Sequence, residues 1–236
     1  MLFSICTVLH AYQTLRYKTW YFILVVIGTT MEVLGYIFRI YSSVKNPYNV
    51  MYFVLQYFFI VVAPVFFSAA IYTILSHLIN AVGRQYSPLP PRVILIVFVV
   101  CDVIATGVQV AGAALIGVAQ SNRKDPTSAN NILLAGLAFQ VFTFFVFLVL
   151  LAWYLNRAFR VKKVAGKRLK PFVLALIAAC SLIYLRTCFR LAETAEGLGG
   201  ELSTREVYFG CLEFAPVVLA IAIFNVWHPG KWIPKY

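Results

Sequence analysis

The chain is 236 residues long, 62% hydrophobic and only 12% Asp, Glu, Lys or Arg, with a mean hydropathy of +0.85. A water-soluble domain carries about a quarter charged residues, so a cytosolic enzyme, a secreted disulfide scaffold and a disordered tail are all excluded. The formal charge of +12 comes from 20 basic against 8 acidic residues; because the basic residues fall between apolar runs, they point to membrane topology rather than to nucleic acid.

A transmembrane helix needs about 20 mostly apolar residues. Taken in chain order, six runs satisfy this: 20–41, 50–79, 93–119, 132–155, 171–192 and 207–227. The opening run, 2–12, is too short to span alone. It lacks both the basic n-region and the small-residue cleavage site of a signal peptide, and reads as a first helix whose outer end is missing. Breaker residues separate the runs at Lys45-Asn46-Pro47, Ser87-Pro88-Leu89-Pro90-Pro91, Asp125-Pro126 and Gly197-Leu198-Gly199-Gly200. The expected fold is all-α, a polytopic transmembrane bundle of seven spans forming one domain over 1–236.

Orientation follows from the loops. The first, third and fifth loops and the C-terminal tail hold thirteen basic residues, with Arg157, Arg160, Lys162, Lys163, Lys167, Arg168 and Lys170 gathered in the fifth. The second, fourth and sixth hold only Lys45, Arg123, Lys124 and Arg205. Short cytoplasmic loops gather Lys and Arg, so the N-terminus is expected outside and the C-terminus inside. The fifth-loop cluster is read as fixing this topology in preference to contacting anionic lipid.

Ionisable groups at mid-membrane cost several kcal/mol unless paired or wet, and mark function or a structural pair. They recur here at helical spacing: Glu32 and Arg39 on the second helix, Asp102 and Gln109 on the fourth, Arg186, Arg190 and Glu193 on the sixth, and Glu206 and Glu213 on the seventh. Gln56 and Gln140 add neutral groups on the third and fifth. If these faces meet, they enclose an outward-opening chamber with three arginines and five acids, net acidic. Helix-to-helix pairing that merely locks the bundle is the competing reading. Pro64 and Pro216 mark kinks, and Gly107, Ala111, Ala113 and Gly117 offer small faces for close packing.

The five cysteines all fall within spans and are expected as buried thiols. The three histidines have no metal-ligand spacing. Without a Walker-type loop, a catalytic Ser/His/Asp set or a membrane histidine cluster, the chain is expected to be neither an enzyme nor a holder of metal or cofactor.

Read as one string, the polar positions become distinctive: Met31-Glu32-Val33-Leu34-Gly35-Tyr36-Ile37-Phe38-Arg39, Ala63-Pro64, Ala69-Ala70-Ile71-Tyr72, Asp102 with Gln109, Gly136 with Gln140, Arg186-Thr187-Cys188-Phe189-Arg190-Leu191-Ala192-Glu193, Glu206-Val207-Tyr208 and Trp227-His228-Pro229-Gly230. This pattern resembles the fungal RTA-like family of lipid-translocating exporters, from about Tyr12 to the end. The resemblance implies a multi-pass protein of the plasma membrane that meets membrane lipids and moves, or confers resistance to, amphiphiles such as sphingoid long-chain bases, amino-sterols or porphyrins. In a cationic-amphiphile exporter, Glu32, Asp102 and Glu213 are expected to face the ammonium while Arg186 and Arg190 hold Glu193 and Glu206. A porphyrin would place its propionates on Arg39, Arg186 and Arg190. A non-transporting sensor of lipid stress is the alternative of a different class.

Overall fold

The computed structural model describes residues 1–44, 50–123, 125–160, 169–197 and 200–232, and every regular element among them is helical. Helix α1 (Leu2–Tyr17) stops where Lys18 turns left-handed, at a φ of 54°. A single 3-10 turn, Trp20–Phe22, then feeds α2 (Ile23–Val44). The long helices α3 (Val50–Val82), α4 (Pro91–Ser121), α5 (Thr127–Arg160) and α6 (Leu169–Glu196) follow. Proline opens α4, where a missing N–H costs nothing. At the head of α5 the Asp125 carboxylate accepts bonds from both the backbone N–H and the hydroxyl of Thr127, which hold this carboxyl below its ordinary range.

The last span is composite. Short helices α7 (Glu201–Thr204) and α8 (Glu206–Tyr208) precede a π-helical stretch, Phe209–Phe214, which runs into α9 (Ala215–Val226) and, after a break, α10 (Pro229–Trp232). Pro216 lacks the N–H that the carbonyl of Leu212 would receive in an α-helix, and the wider π turn lies just before it.

Among the described residues, six helical stretches are long and apolar enough to cross a membrane: Trp20–Ser42, Val54–Val82, Pro91–Ser121, Thr127–Arg160, Leu169–Glu196 and Glu206–Trp232. The expected seventh is not among them. With 16 residues, α1 is about 24 Å long, short of an apolar core of about 30 Å. The basic residues Lys45, Lys124, Lys162, Lys163, Lys167, Arg168 and Lys235, and the turn residues Asn46, Pro47, Leu198 and Gly199, lie outside the described residues.

Neighbouring helices in sequence are neighbours in space. The order α1–α2–α3–α4–α5–α6–α9 closes on itself through α1 against α9, and α3 also touches α6 across the ring. Helix α3 is the most enclosed span, with 67% of its apolar window buried against 33% for α2, α4 and the last span. Its Tyr72, Ile74, Leu75 and Leu78 meet Phe144 and Phe147 of α5 and Phe172 and Leu176 of α6 in one continuous core.

The small residues act differently from expectation. A side chain on Gly107 would meet nothing within 4 Å, whereas one on Gly112 would lie 2.7 Å from the backbone nitrogen of Leu133. Gly112 is therefore a point of close backbone approach between α4 and α5. The thiols also divide: Cys6 and Cys180 are buried as expected, Cys101 and Cys188 are half-buried, and Cys211 is exposed on the outside of the bundle.

Candidate functional site

Polar side chains converge at the end of the bundle where α2 and α6 finish and α3, α5 and α8 begin. They line a cavity of about 450 Å³. Five of the residues singled out in the sequence meet there: Arg39, Gln56, Arg190, Glu193 and Glu206. Its walls are completed by Tyr57, Asn130, Ser203 and Phe209, among others. Two arginines and two glutamates balance, so the expected net-acidic chamber is corrected to a charge-balanced one.

Each charge is differently engaged. Arg190 donates to Glu193 three residues along α6 at 2.8 Å, and its guanidinium lies 5.3 Å from the ring centre of Tyr57. The Arg39 guanidinium stacks on Phe209, 3.8 Å from its ring centre, a cation–π contact that leaves its N–H edges free of any carboxylate among the described residues. Glu206 is exposed and has no ion-pair partner among the described residues. The expected clamp of Glu206 by Arg186 or Arg190 is absent, because the π turn between Glu206 and Glu213 puts their seven-residue spacing out of phase. Glu206 reaches the cavity; Glu213 turns inward.

Beneath the cavity lies a buried ion cluster. Arg186 donates to Glu213 at 2.5 Å, and Arg190 approaches the same carboxylate at 3.9 Å. Glu32 of α2 is buried within electrostatic reach of Arg186, Glu213 and Arg190. Arg186 also donates to the carbonyl of Ile60, 3.1 Å away. That carbonyl is the one Pro64, four residues on, has no N–H to serve. The proline thus exposes an acceptor inside α3, and the guanidinium of α6 satisfies it. Arg186 pairs with Glu213 and not with Glu193, and neither Arg186, Glu32 nor Glu213 lines the cavity. A porphyrin in the cavity would accordingly find only Arg39 and Arg190 of its three expected arginines.

Asp102 is separate from both. It accepts a bond from the Tyr72 hydroxyl at 2.9 Å, with the Ser68 side chain against the pair. The Tyr72 ring lies 4.5 Å from that of Phe147 and 5.6 Å from that of Phe98, so this carboxyl sits among aromatics rather than arginines. One turn-pair further along α4, Gln109 donates to Gln140 of α5 at 2.9 Å, a neutral cross-helix bond of the kind that locks bundles. Asp102, Gln109 and Gln140 therefore lie outside the cavity.

Tyr57, Asn130 and Phe209 belong to the cavity but escape a search for ionisable groups in spans. Asn130 has a usable signal: it lies one turn into α5, and its amide donates to the Thr194 carbonyl of α6 at 3.1 Å. Among the described residues no three His, Cys, Asp or Glu side chains group as a metal site requires.

Comparison with known proteins finds relatives along nearly the whole chain. A family model described as RTA1 like protein matches residues 25–236. Over 98% of its length the chain is 30% identical to a sphingoid long-chain base transporter, RSB1, of Saccharomyces cerevisiae (strain Lalvin EC1118 / Prise de mousse), covering 69% of that protein. It is 28% identical over 98% of its length to the lipid-translocating exporter-like protein RTA1 of Leptosphaeria maculans, covering 48% of that protein. It is 27% identical over 87% of its length to Protein RTM1 of Saccharomyces cerevisiae, covering 66% of it. No solved structure matches the chain significantly. An all-helical, multi-pass membrane chain matched along nearly its whole length, it belongs to the RTA1-like family.

Proposed function

We propose that the chain works as a single seven-helix domain, 1–236, that exports amphiphiles with a cationic head, sphingoid long-chain bases above all, and that it is not an enzyme. The observation that carries this reading is the carboxylate of Glu206, exposed at the mouth of a polar cavity and without an ion-pair partner among the described residues. An ammonium has an acceptor there, and Gln56 and Asn130 stand nearby as partners for the hydroxyls of a sphingoid head. Arg190 couples the cavity to the buried cluster. It bonds Glu193 in the wall and approaches Glu213 beneath, so an ammonium competing for Glu193 shifts the guanidinium toward Glu213.

Orientation fits the same reading. The cavity opens at the end that carries the second, fourth and sixth loops, opposite the basic loops. The distribution of Lys and Arg supports placing this end outward, with the N-terminus outside, and the family resemblance supports the plasma membrane as the site of action. A relative named for sphingoid-base transport at 30% identity supports the substrate class.

The test is flux through the purified chain alone. Reconstituted in liposomes, it should speed transbilayer movement of a labelled sphingoid base and leave an uncharged fatty alcohol of equal length unaffected. Tight binding without movement would favour a lipid-stress sensor instead.

A further inference from the structure

A polar cavity accommodates only one end of an amphiphile. Its tail needs an apolar path that begins at the cavity wall and stays within the membrane. Beside the cavity, between α3 and α4, lies a small groove of about 40 Å³ lined by Val54, Tyr57, Phe58, Val110, Ala113 and Ala114. Tyr57 lines both spaces. Its ring lies near the Arg190 guanidinium on the cavity side, and its neighbours on the groove side are hydrocarbon.

We propose that the alkyl chain of the bound amphiphile leaves the cavity sideways past Tyr57, seats its first one or two methylenes in this α3–α4 groove and runs on into the surrounding lipid. The inference rests on the cavity being the headgroup site. Three observations support it. Val54 and Phe58 are 37% and 38% exposed, so the groove faces the bilayer and not the protein interior. Ala113 and Ala114 stand opposite these larger side chains, and their small size gives the groove its depth. Ala113 is eight residues before Ser121, the end of α4, about 12 Å along the helix. The groove therefore falls in the same leaflet as the cavity mouth, where the tail of a lipid already lies when its head is at the interface. A tail lodged there stays in hydrocarbon while the head is bound, and need not be threaded through the packed core around Tyr72.

The groove predicts that head and tail recognition separate by mutation. Binding of an octadecyl sphingoid base and of its tail-less head analogue, 2-aminopropane-1,3-diol, would be measured on purified protein in nanodiscs. Comparing variants with wild type for the same ligand cancels partition into lipid. Ala113→Phe should weaken the octadecyl base about tenfold and leave 2-aminopropane-1,3-diol unaffected, because the lost contact is the apolar area of the methylenes nearest the head. Ala114→Leu, a smaller intrusion on the same wall, should act in the same direction and serves if the phenylalanine variant misfolds. Glu206→Gln should weaken both ligands alike. If both groove variants keep wild-type affinity for the octadecyl base while Glu206→Gln loses it, the groove assignment is wrong and the headgroup site stands. If Glu206→Gln binds both ligands as wild type does, the headgroup site itself is wrong and the groove assignment falls with it.

Discussion

Two carboxylates lie equally deep in this bundle, Glu213 at 2% exposure and Asp102 at 1%, and their surroundings have little in common. Glu213 meets Arg186 and Arg190 from α6 directly under the cavity. Asp102 meets only neutral hydroxyls, those of Tyr72 and Ser68, within an aromatic core. The difference teaches what a buried acid requires. A carboxylate whose partner is a buried guanidinium cannot be removed alone, because it would strand a positive charge in a low-dielectric interior. A carboxyl held by a neutral hydroxyl leaves only a hydrogen bond behind. Glu213 is thus bound into the machinery at the cavity floor, whereas Asp102 is an anchor between α3 and α4.

Substitutions should separate the two in order of size. Glu213→Gln strands Arg186 and should lower unfolding stability by about 3 kcal/mol, read as a fall in midpoint in a detergent unfolding titration. Combining it with Arg186→Met should recover much of that loss. If the single variant is as stable as wild type, the buried pair does not hold the bundle. Asp102→Asn keeps an acceptor for Tyr72 and should cost about 1 kcal/mol or less. A loss equal to that of Glu213→Gln would erase the contrast between the two acids. The smallest effect belongs to the neutral pair: a double-mutant cycle with Gln109→Leu and Gln140→Leu should give a coupling of about 0.6 kcal/mol. A coupling several times larger would make this pair, and not the ion cluster, the principal polar tie of the bundle.

Much of this architecture is legible in the amino-acid order. Apolar runs locate the six long helices because hydropathy is a local property, but the runs end short of the helices wherever polar turns such as Thr127–Asn130 or Glu193–Glu196 continue the helix beyond the apolar core. Helical spacing correctly puts Arg190 and Glu193 together, since both lie on α6. It fails for partners on different helices, because which faces meet depends on rotation and on the π turn at Phe209–Phe214. That turn sends Glu206 to the cavity and Glu213 beneath it. Nor does spacing reveal that Pro64 leaves the Ile60 carbonyl for Arg186, because the donor lies 126 residues away in the chain. The eleven polar positions therefore sort into a cavity, an ion cluster and two separate hydrogen-bonded ties, where the sequence suggests one chamber.

The claim on which the account turns is that the amphiphile's ammonium is held at Glu206, in the cavity, and not at the deeper acids. The direct measurement is equilibrium binding of one labelled sphingoid base to purified wild type, Glu206→Gln and Asp102→Asn, each checked for folding by its unfolding midpoint. Losing a charge-assisted bond should weaken Glu206→Gln by about tenfold or more, while Asp102→Asn binds as wild type does. Wild-type affinity in Glu206→Gln together with a large loss in a folded Asp102→Asn would contradict the account and move the ammonium to the aromatic core.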